Sequence, residues 1–332
     1  MKFGPIPLNK ALGAVLAHSH SGAAGILRKG KVLDQGDLAL LARDGLDSVV
    51  VARLEPGDLD ENTAAGRLAA ALVPDPAGQG VTVSVAATGR VNLHARGPGV
   101  LALKAEAIHA LNRVDPAITF ATLPPFARLQ KGVLVGTVKI ISYAVTGAAL
   151  AQAAALAAGA IRACPVVMAS AGLILTRVPG QDPKLNAKGR RVIAARLAAL
   201  GMVLADCREV DHDEAAIADV LGGLAGDMAL ILTGSATSDL FDTAPQALRR
   251  AGGLVQRFGM PVDPGNLLFL GQLQGRPVVG LPGCARSPAL NGADWVLERL
   301  ATGIAISDDD IAAMGVGGLL KEIPSRPQRR EG

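Results

Sequence analysis

Aromatic side chains are scarce in this chain: phenylalanine, tyrosine and tryptophan together make up 2% of it. Single-stranded nucleic acid is held by stacking its bases on such rings, so that class of function is disfavoured. Cysteine is rarer still. Cys164, Cys207 and Cys284 are scattered, with no C-x-x-C spacing, which argues against a disulfide framework and against a zinc knuckle. A strong excess of charge is missing too. The formal net charge is +4, and from Lys321 onward four basic residues stand against two acidic ones, so the remaining body is only mildly charged. Such a balance fits a local anion site and calls for no nucleic-acid face. Long apolar runs are also absent. The longest uncharged one, Ala144 to Ile161, is interrupted by Thr146, Gly147, Gln152 and Gly159. It reads as a strand end followed by a buried alanine-rich helix, not as a membrane span. Met1-Lys-Phe-Gly-Pro-Ile-Pro7 has no signal-peptide core, and a soluble cytoplasmic protein is expected.

Half of the 332 residues are hydrophobic, so the chain can build a sizeable core and is long enough for two domains. Its most informative stretch runs from Met228 to Gly252. Met228-Ala-Leu-Ile-Leu232 is an apolar run suited to a buried parallel strand, and Ala244 to Arg250 has helix-forming composition stopped by Gly252 and Gly253. Between them, four of the ten side chains of Thr233-Gly-Ser-Ala-Thr-Ser-Asp-Leu-Phe-Asp242 are hydroxyls. Gly234 lets the backbone come close to a ligand, and free amides at the following helix start would favour an anion.

The segment Leu232 to Ala247 resembles the threonine- and glycine-rich turn, with its following aspartate, that marks the molybdopterin-binding domain shared by molybdopterin adenylyltransferases and molybdopterin molybdenumtransferases. Downstream, Pro277-Val-Val-Gly-Leu-Pro-Gly-Cys-Ala-Arg-Ser287 is similar to the strand and Pro-Gly loop of the same family. The resemblance implies that Thr233, Gly234, Ser235, Thr237 and Ser238, with Pro282, Gly283, Cys284 and Ser287, line a pocket for the pterin phosphate. It implies that Asp242 serves in catalysis and holds Mg²⁺, and it matches Pro245 to the helix-start proline of the adenylyltransferase branch. A carboxylate beside a phosphate is repulsive unless a cation lies between them, which points to the same ion.

From Pro165 the chain alternates strand and helix. Gly172 to Thr176 reads as a strand, Ala187 to Leu200 as a helix closed by Gly201, Ala215 to Leu221 as a helix, Val278 to Leu281 as a strand and Ala289 to Leu300 as a helix, with Ser287 as its cap. Such alternation predicts an α/β domain over 166–305, a three-layer arrangement with a largely parallel sheet, and ligands at the carboxyl ends of its strands. Residues 1–165 support an α+β accessory domain. Leu8 to Ala17 reads as a short helix, Gly36 to Gly45 as a helix and Ser48 to Leu54 as a strand; Asp60 to Leu72 and Ala105 to Leu111 read as helices, and Val81 to Val85 and Val133 to Ile141 as strands. The stretch from Leu38 to Val51 loosely resembles a segment of molybdenumtransferases. Residues 306–332 read as a flexible tail, a linker remnant or docking arm.

Several residues carry two readings. His18 and His20 are either a chelating pair in an extended segment or a solvated loop pair. Lys139 either reaches an anion or snorkels to the surface. Asp242 is either the family's acidic residue or only a helix N-cap. Arg286 either pairs with a phosphate or is exposed, and Lys184, Asn186 and Lys188 either bind an anionic ligand or begin a hydrated helix. Three departures from the molybdenumtransferase pattern weaken its implied catalysis. Leu175 to Asp182 lacks the Gly-Asp-Glu expected after the first strand, Lys184 to Gly189 is a reduced form of the next helix start, and Asp263 replaces a lysine in Met260-Pro-Val-Asp-Pro-Gly265.

The expected function is therefore molybdopterin binding in molybdenum cofactor biosynthesis, assisting molybdate insertion or nucleotide transfer with Mg²⁺. The alternatives are a non-catalytic carrier and an α/β domain for another phosphorylated small molecule. Expected partners are the pterin ligand and a nucleotidyltransferase or molybdoenzyme, without nucleic acid or membrane, in a homo-oligomer.

Overall fold

The computed structural model describes residues 1–320. It divides into two compact units, residues 1–97 with 101–164, and residues 98–100 with 165 onward.

In the first unit, Lys2–Pro7, Ser48–Arg53 and Val15–Leu16 form a small antiparallel sheet with Ser48–Arg53 in the centre. The helix Gln35–Arg43 is started by a reciprocal capping box between Asp34 and Asp37, which satisfies two orphan amides at once. Leu8 to Ala17 is not a helix: Leu8–Lys10 is one 3-10 turn, and the chain then extends into Val15–Leu16, whose Leu16 enters the local core with Leu33, Leu41 and Val51. His20–Gly22 and Gly25–Leu27 form a hairpin. The rest of the unit packs the helices Glu61–Leu72, Ala105–Asn112 and Gly147–Leu156 with a four-stranded sheet ordered Ile118–Thr122, Leu134–Ile140, Arg90–Ala95, Val81–Val83. Asp60 caps the first of these helices through the amides of Asn62 and Thr63. The alanine-rich helix buries only one stripe, Leu150 and Ala153, and leaves Ala148, Ala151 and Leu156 exposed. Among the described residues no helix is long and apolar enough to cross a membrane.

The second unit contains, in order, β1 (Ser170–Arg177), α1 (Lys184–Ala198), β2 (Val203–Asp211), α2 (Glu214–Leu221), β3 (Met228–Leu232), α3 (Thr243–Arg250), β4 (Leu254–Phe258), β5 (Phe269–Leu273), β6 (Arg276–Leu281) and α4 (Gly292–Ala301). One six-stranded sheet takes them in the order β2-β1-β3-β6-β5-β4. The pairs β2/β1, β1/β3 and β3/β6 are parallel, but β5 runs antiparallel to both of its neighbours. The largely parallel sheet expected is thus corrected to a mixed one. The turn Gln274-Gly275 joins β5 to β6 as a hairpin, which forces the antiparallel pairing.

Alternation along the strands separates two cores. Leu173, Leu175, Leu230 and Leu232 pack with Ile193 and Leu197 of α1 and Val296 and Leu297 of α4. Ile174, Ala229 and Ile231 meet Ile217 and Leu221 of α2 and Ala247 and Leu248 of α3. With all five residues buried, β3 is the central strand that both cores share, as a continuous apolar run requires.

Two further expectations change. α4 begins at Gly292, not Ala289, because Asn291 and Asp294 form its capping box; Ser287 lies upstream, where its hydroxyl accepts from the amide of Ala289. Residues 306–320 are packed and not a flexible tail: Ile306, Ile311 and Met314 join the core beside α4, and the backbones of Asp263 and Gly318–Leu320 exchange hydrogen bonds at 2.8 and 2.9 Å. The remainder of that segment, 321–332, lies outside the described residues.

Candidate functional site

Parallel pairing fixes where the two motif segments end. Leu232, the last residue of β3, is the register partner of Leu281, the last of β6, so the bends that follow them leave the same sheet edge side by side. A direct bond joins them: Arg286 Nη2 donates to the carbonyl of Thr233 at 2.8 Å. Open α/β sheets collect ligands at this edge.

On the first bend, Thr233 is buried and its hydroxyl donates to the carbonyl of Ser235 at 2.5 Å. Thr237 is buried as well, while Ser235 and Ser238 are exposed. The Gly234 amide donates to the Thr176 hydroxyl at 2.7 Å, and the Ser238 amide and hydroxyl both donate to Asp242 Oδ2. Those amides are not free for a ligand. The amides of Ser235, Ala236 and Thr237 make no intramolecular hydrogen bond among the described residues, so three successive donors remain.

Asp242 does cap a helix: Oδ1 accepts from the Thr243 amide at 2.7 Å at the start of α3. Burial pushes its carboxyl up, but donation from Ser238 and Thr243, with the charge of nearby His212, outweighs burial and holds it below the ordinary carboxylate value. Asp242→Ala is therefore expected to cost about 1 kcal/mol of stability at neutral pH. The sign with pH follows from the depressed folded value. The cap contributes fully above the unfolded pKa of about 4 and is lost as pH falls through the folded one, so the gap between wild type and variant stays level down to about pH 4 and narrows below it. Urea titrations across that range check this.

On the second bend, Pro282 precedes one 3-10 turn, Gly283–Arg286. Cys284 is exposed, and its Sγ accepts from Asn291 Nδ2 at 3.1 Å. Burial pushes the Cys164 and Cys207 thiols up. Alkylation followed by mass spectrometry is expected to modify Cys284 first, since thiolate fraction and access both set the rate. A ligand seated between the bends should slow that labelling.

Beneath the first bend lies a polar network whose members sequence reading did not connect. Thr176, fully buried at the end of β1, takes the Gly234 amide and pairs with His212 Nδ1 at 3.0 Å. Asn186 near the start of α1 donates to the Thr176 carbonyl at 3.3 Å and to Glu209 Oε1 at 2.7 Å, and accepts from Gln181 Nε2 at 3.0 Å. Gln181 Oε1 in turn accepts from the Val178 amide at 3.2 Å. Asn186 is thus a buried hub and not a hydrated helix start, whereas Lys184 and Lys188 are exposed. The available signal was a cluster of polar residues at strand ends; only the sheet order brings those ends together.

The remaining candidates sit elsewhere. His20 Nε2 meets Asp44 Oδ2 at 2.8 Å, while His18 stands edge-on to Phe3, so the two imidazoles have separate partners. Lys139 Nζ donates to the carbonyl of Thr88. Among the described residues no three His, Cys, Asp or Glu side chains cluster as a metal site.

A family profile, "Domain of unknown function (DUF8806)", matches residues 5–53. No curated protein matches the chain. Among solved structures it is similar to the molybdopterin biosynthesis MoeA protein of Pyrococcus horikosii, at 14% identity over 91% of this chain and 76% of that one, with a TM-score of 0.32. It is also similar to a molybdenum cofactor biosynthesis protein of Pyrococcus furiosus, at 12% identity over 94% and 65%, with a TM-score of 0.24.

Proposed function

We propose that the chain binds molybdopterin at the paired bends after β3 and β6 and holds it for a step of molybdenum cofactor assembly. The observation that carries this reading is the Leu232–Leu281 register pair, which sets two segments resembling one family's motifs next to each other at one sheet edge. The amides of Ser235 to Thr237 and the hydroxyl of Ser235 receive the phosphate, with the Pro282–Gly283 bend and the Cys284 thiol on the facing side; Ser238, whose O–H is given to Asp242, holds that carboxylate beside them. Preorganised donors of this kind act by electrostatic positioning, the main protein contribution in phosphoryl chemistry.

The donor set fits Mg²⁺ only in one way. Asp242 spends one acceptor site on Thr243 and two on Ser238, leaving Oδ1 with room for one more contact. Magnesium that keeps its waters and is held by one carboxylate plus ligand phosphates suits that arrangement. When bound it would neutralise charge between Asp242 and the phosphate during molybdate insertion or nucleotide transfer. The same heavy use of Asp242 as a cap, with Asp263 where the related motif has lysine, favours a second reading in which the chain carries the cofactor without transforming it.

Native purification with mass spectrometry of the bound small molecule, for wild type and Asp242→Ala, tests the binding claim. Recovery of a different phosphorylated molecule, or of none together with no binding of added molybdopterin, would sink it. Turnover assays with molybdopterin, Mg²⁺, molybdate and ATP or CTP then separate the readings, since tight binding without product identifies a carrier.

A further inference from the structure

Arg286 is a member of this site whose burial is poorly compensated by its surroundings among the described residues. The residue is 8% exposed, yet the guanidinium makes a single hydrogen bond, to the Thr233 carbonyl. Its Nε is buried without a partner, and among the described residues no carboxylate lies within ion-pair distance of it. Burial alone acts on its pKa, pushing it below the ordinary arginine value. Other arginines of this unit are matched differently. Arg196 meets Asp294 at 3.3 Å and the carbonyls of Ser287 and Ala289, and Arg276 donates to the carbonyls of Leu221 and Leu224. A buried charge with so little around it is unfavourable unless something pairs with it.

The surroundings of Arg286 leave room for a partner. A Cβ on Gly283, which is exposed, would stand 3.7 Å from Arg286 Nη1, the nearest atom outside its chain neighbours, so the guanidinium edge lies within van der Waals reach of this exposed glycine. Thr233, which Arg286 holds, opens directly into the three unpaired amides of Ser235 to Thr237. We infer that Arg286 is an anion-binding residue, which supplies a positive fork for a tetrahedral oxyanion of the phosphate or molybdate class entering over Gly283. This deepens the site proposed above and rests on it only for the organic group that carries the oxyanion.

Thermal unfolding and calorimetry of the full chain with inorganic phosphate and, separately, molybdate test the inference. Wild type is expected to gain stability with at least one of them by mass action, and the arm that responds names the oxyanion. Arg286→Met, close in length but neutral, should weaken that binding by about 10- to 100-fold, the worth of a charge-assisted hydrogen bond. Gly283→Val leaves the charge in place and blocks the approach. It should lose the response while unfolding at the wild-type temperature in anion-free buffer, which guards against reading a misfolded Arg286→Met as support. No response to either anion in wild type, or an equal response in Arg286→Met, overturns the inference. Molybdopterin bound equally by wild type and Arg286→Met would sink this role and leave the proposed function standing. An anion response lost in Arg286→Met, with no pterin bound by either protein, would do the reverse.

Discussion

Replacing Thr176 by valine is expected to loosen the whole ligand edge while leaving the sheet intact. The two side chains have the same shape, so β1 keeps its packing against β2 and β3, and the change removes one hydroxyl. That hydroxyl is the acceptor for the Gly234 amide and the partner of His212 Nδ1. Leaving a buried donor unpaired costs about 1–3 kcal/mol, the larger share of it from desolvation without repayment. Urea titration should show that loss. Thr176→Ser is the control, because it keeps the oxygen and loses only a methyl group, worth about 0.8 kcal/mol plus whatever the small cavity adds. Ligand affinity separates the two variants more sharply than stability. With the Gly234 amide released, the bend is no longer held against β1 and the amides of Ser235 to Thr237 lose their fixed direction, so Thr176→Val should bind more weakly and Thr176→Ser nearly as wild type. Equal affinity in both would mean that Thr176 does not position the bend.

The contrast between β3 and its neighbours shows what is legible in the sequence. Met228 to Leu232 is apolar throughout because both of its faces are covered, and the run alone locates the central strand. By contrast, Val203–Asp211 lies at the sheet edge and alternates exposed with half-buried residues, including Asp206, Arg208 and Glu209; nothing in its composition separates it from a polar loop. At the opposite edge Leu254–Phe258 is equally mixed, and without it and Phe269–Leu273 the antiparallel half of the sheet is invisible. The site divides in the same way. Its two bends can be read from local residues, because turn chemistry is local. Arg286 cannot, since its burial depends on a short 3-10 turn folding the side chain beneath Thr233. Nor can the partnership of Thr176, Asn186, Glu209 and His212, which stand on different elements and meet only through the strand order.

Gly234→Val is expected to have the largest effect on ligand binding of any single change in the first bend. Gly234 does not use the left-handed backbone region, so a side chain is excluded there by space. A Cβ would stand 2.3 Å from Gln181 Oε1, 2.9 Å from the Thr176 carbonyl and 3.3 Å from the Val178 amide. The Gln181 end can swing aside, but doing so gives up its bonds to the Val178 amide and to Asn186. The Thr176 carbonyl belongs to the central sheet and cannot retreat, so the bend itself must lift. Overpacking of this kind costs about 1–3 kcal/mol. Because the bend carries Ser235 to Thr237, lifting it should also weaken binding by roughly tenfold or more. A double-mutant cycle assigns the cause. Gln181→Ala clears the nearest obstacle, and Gly234→Ala placed on that background should recover part of the stability lost by Gly234→Ala alone, since residues in contact do not add independently. Strict additivity of the two changes would show that the clash is elsewhere. A fully tolerated Gly234→Val would mean that the bend does not lie against β1, and the pocket built on it would have to be abandoned.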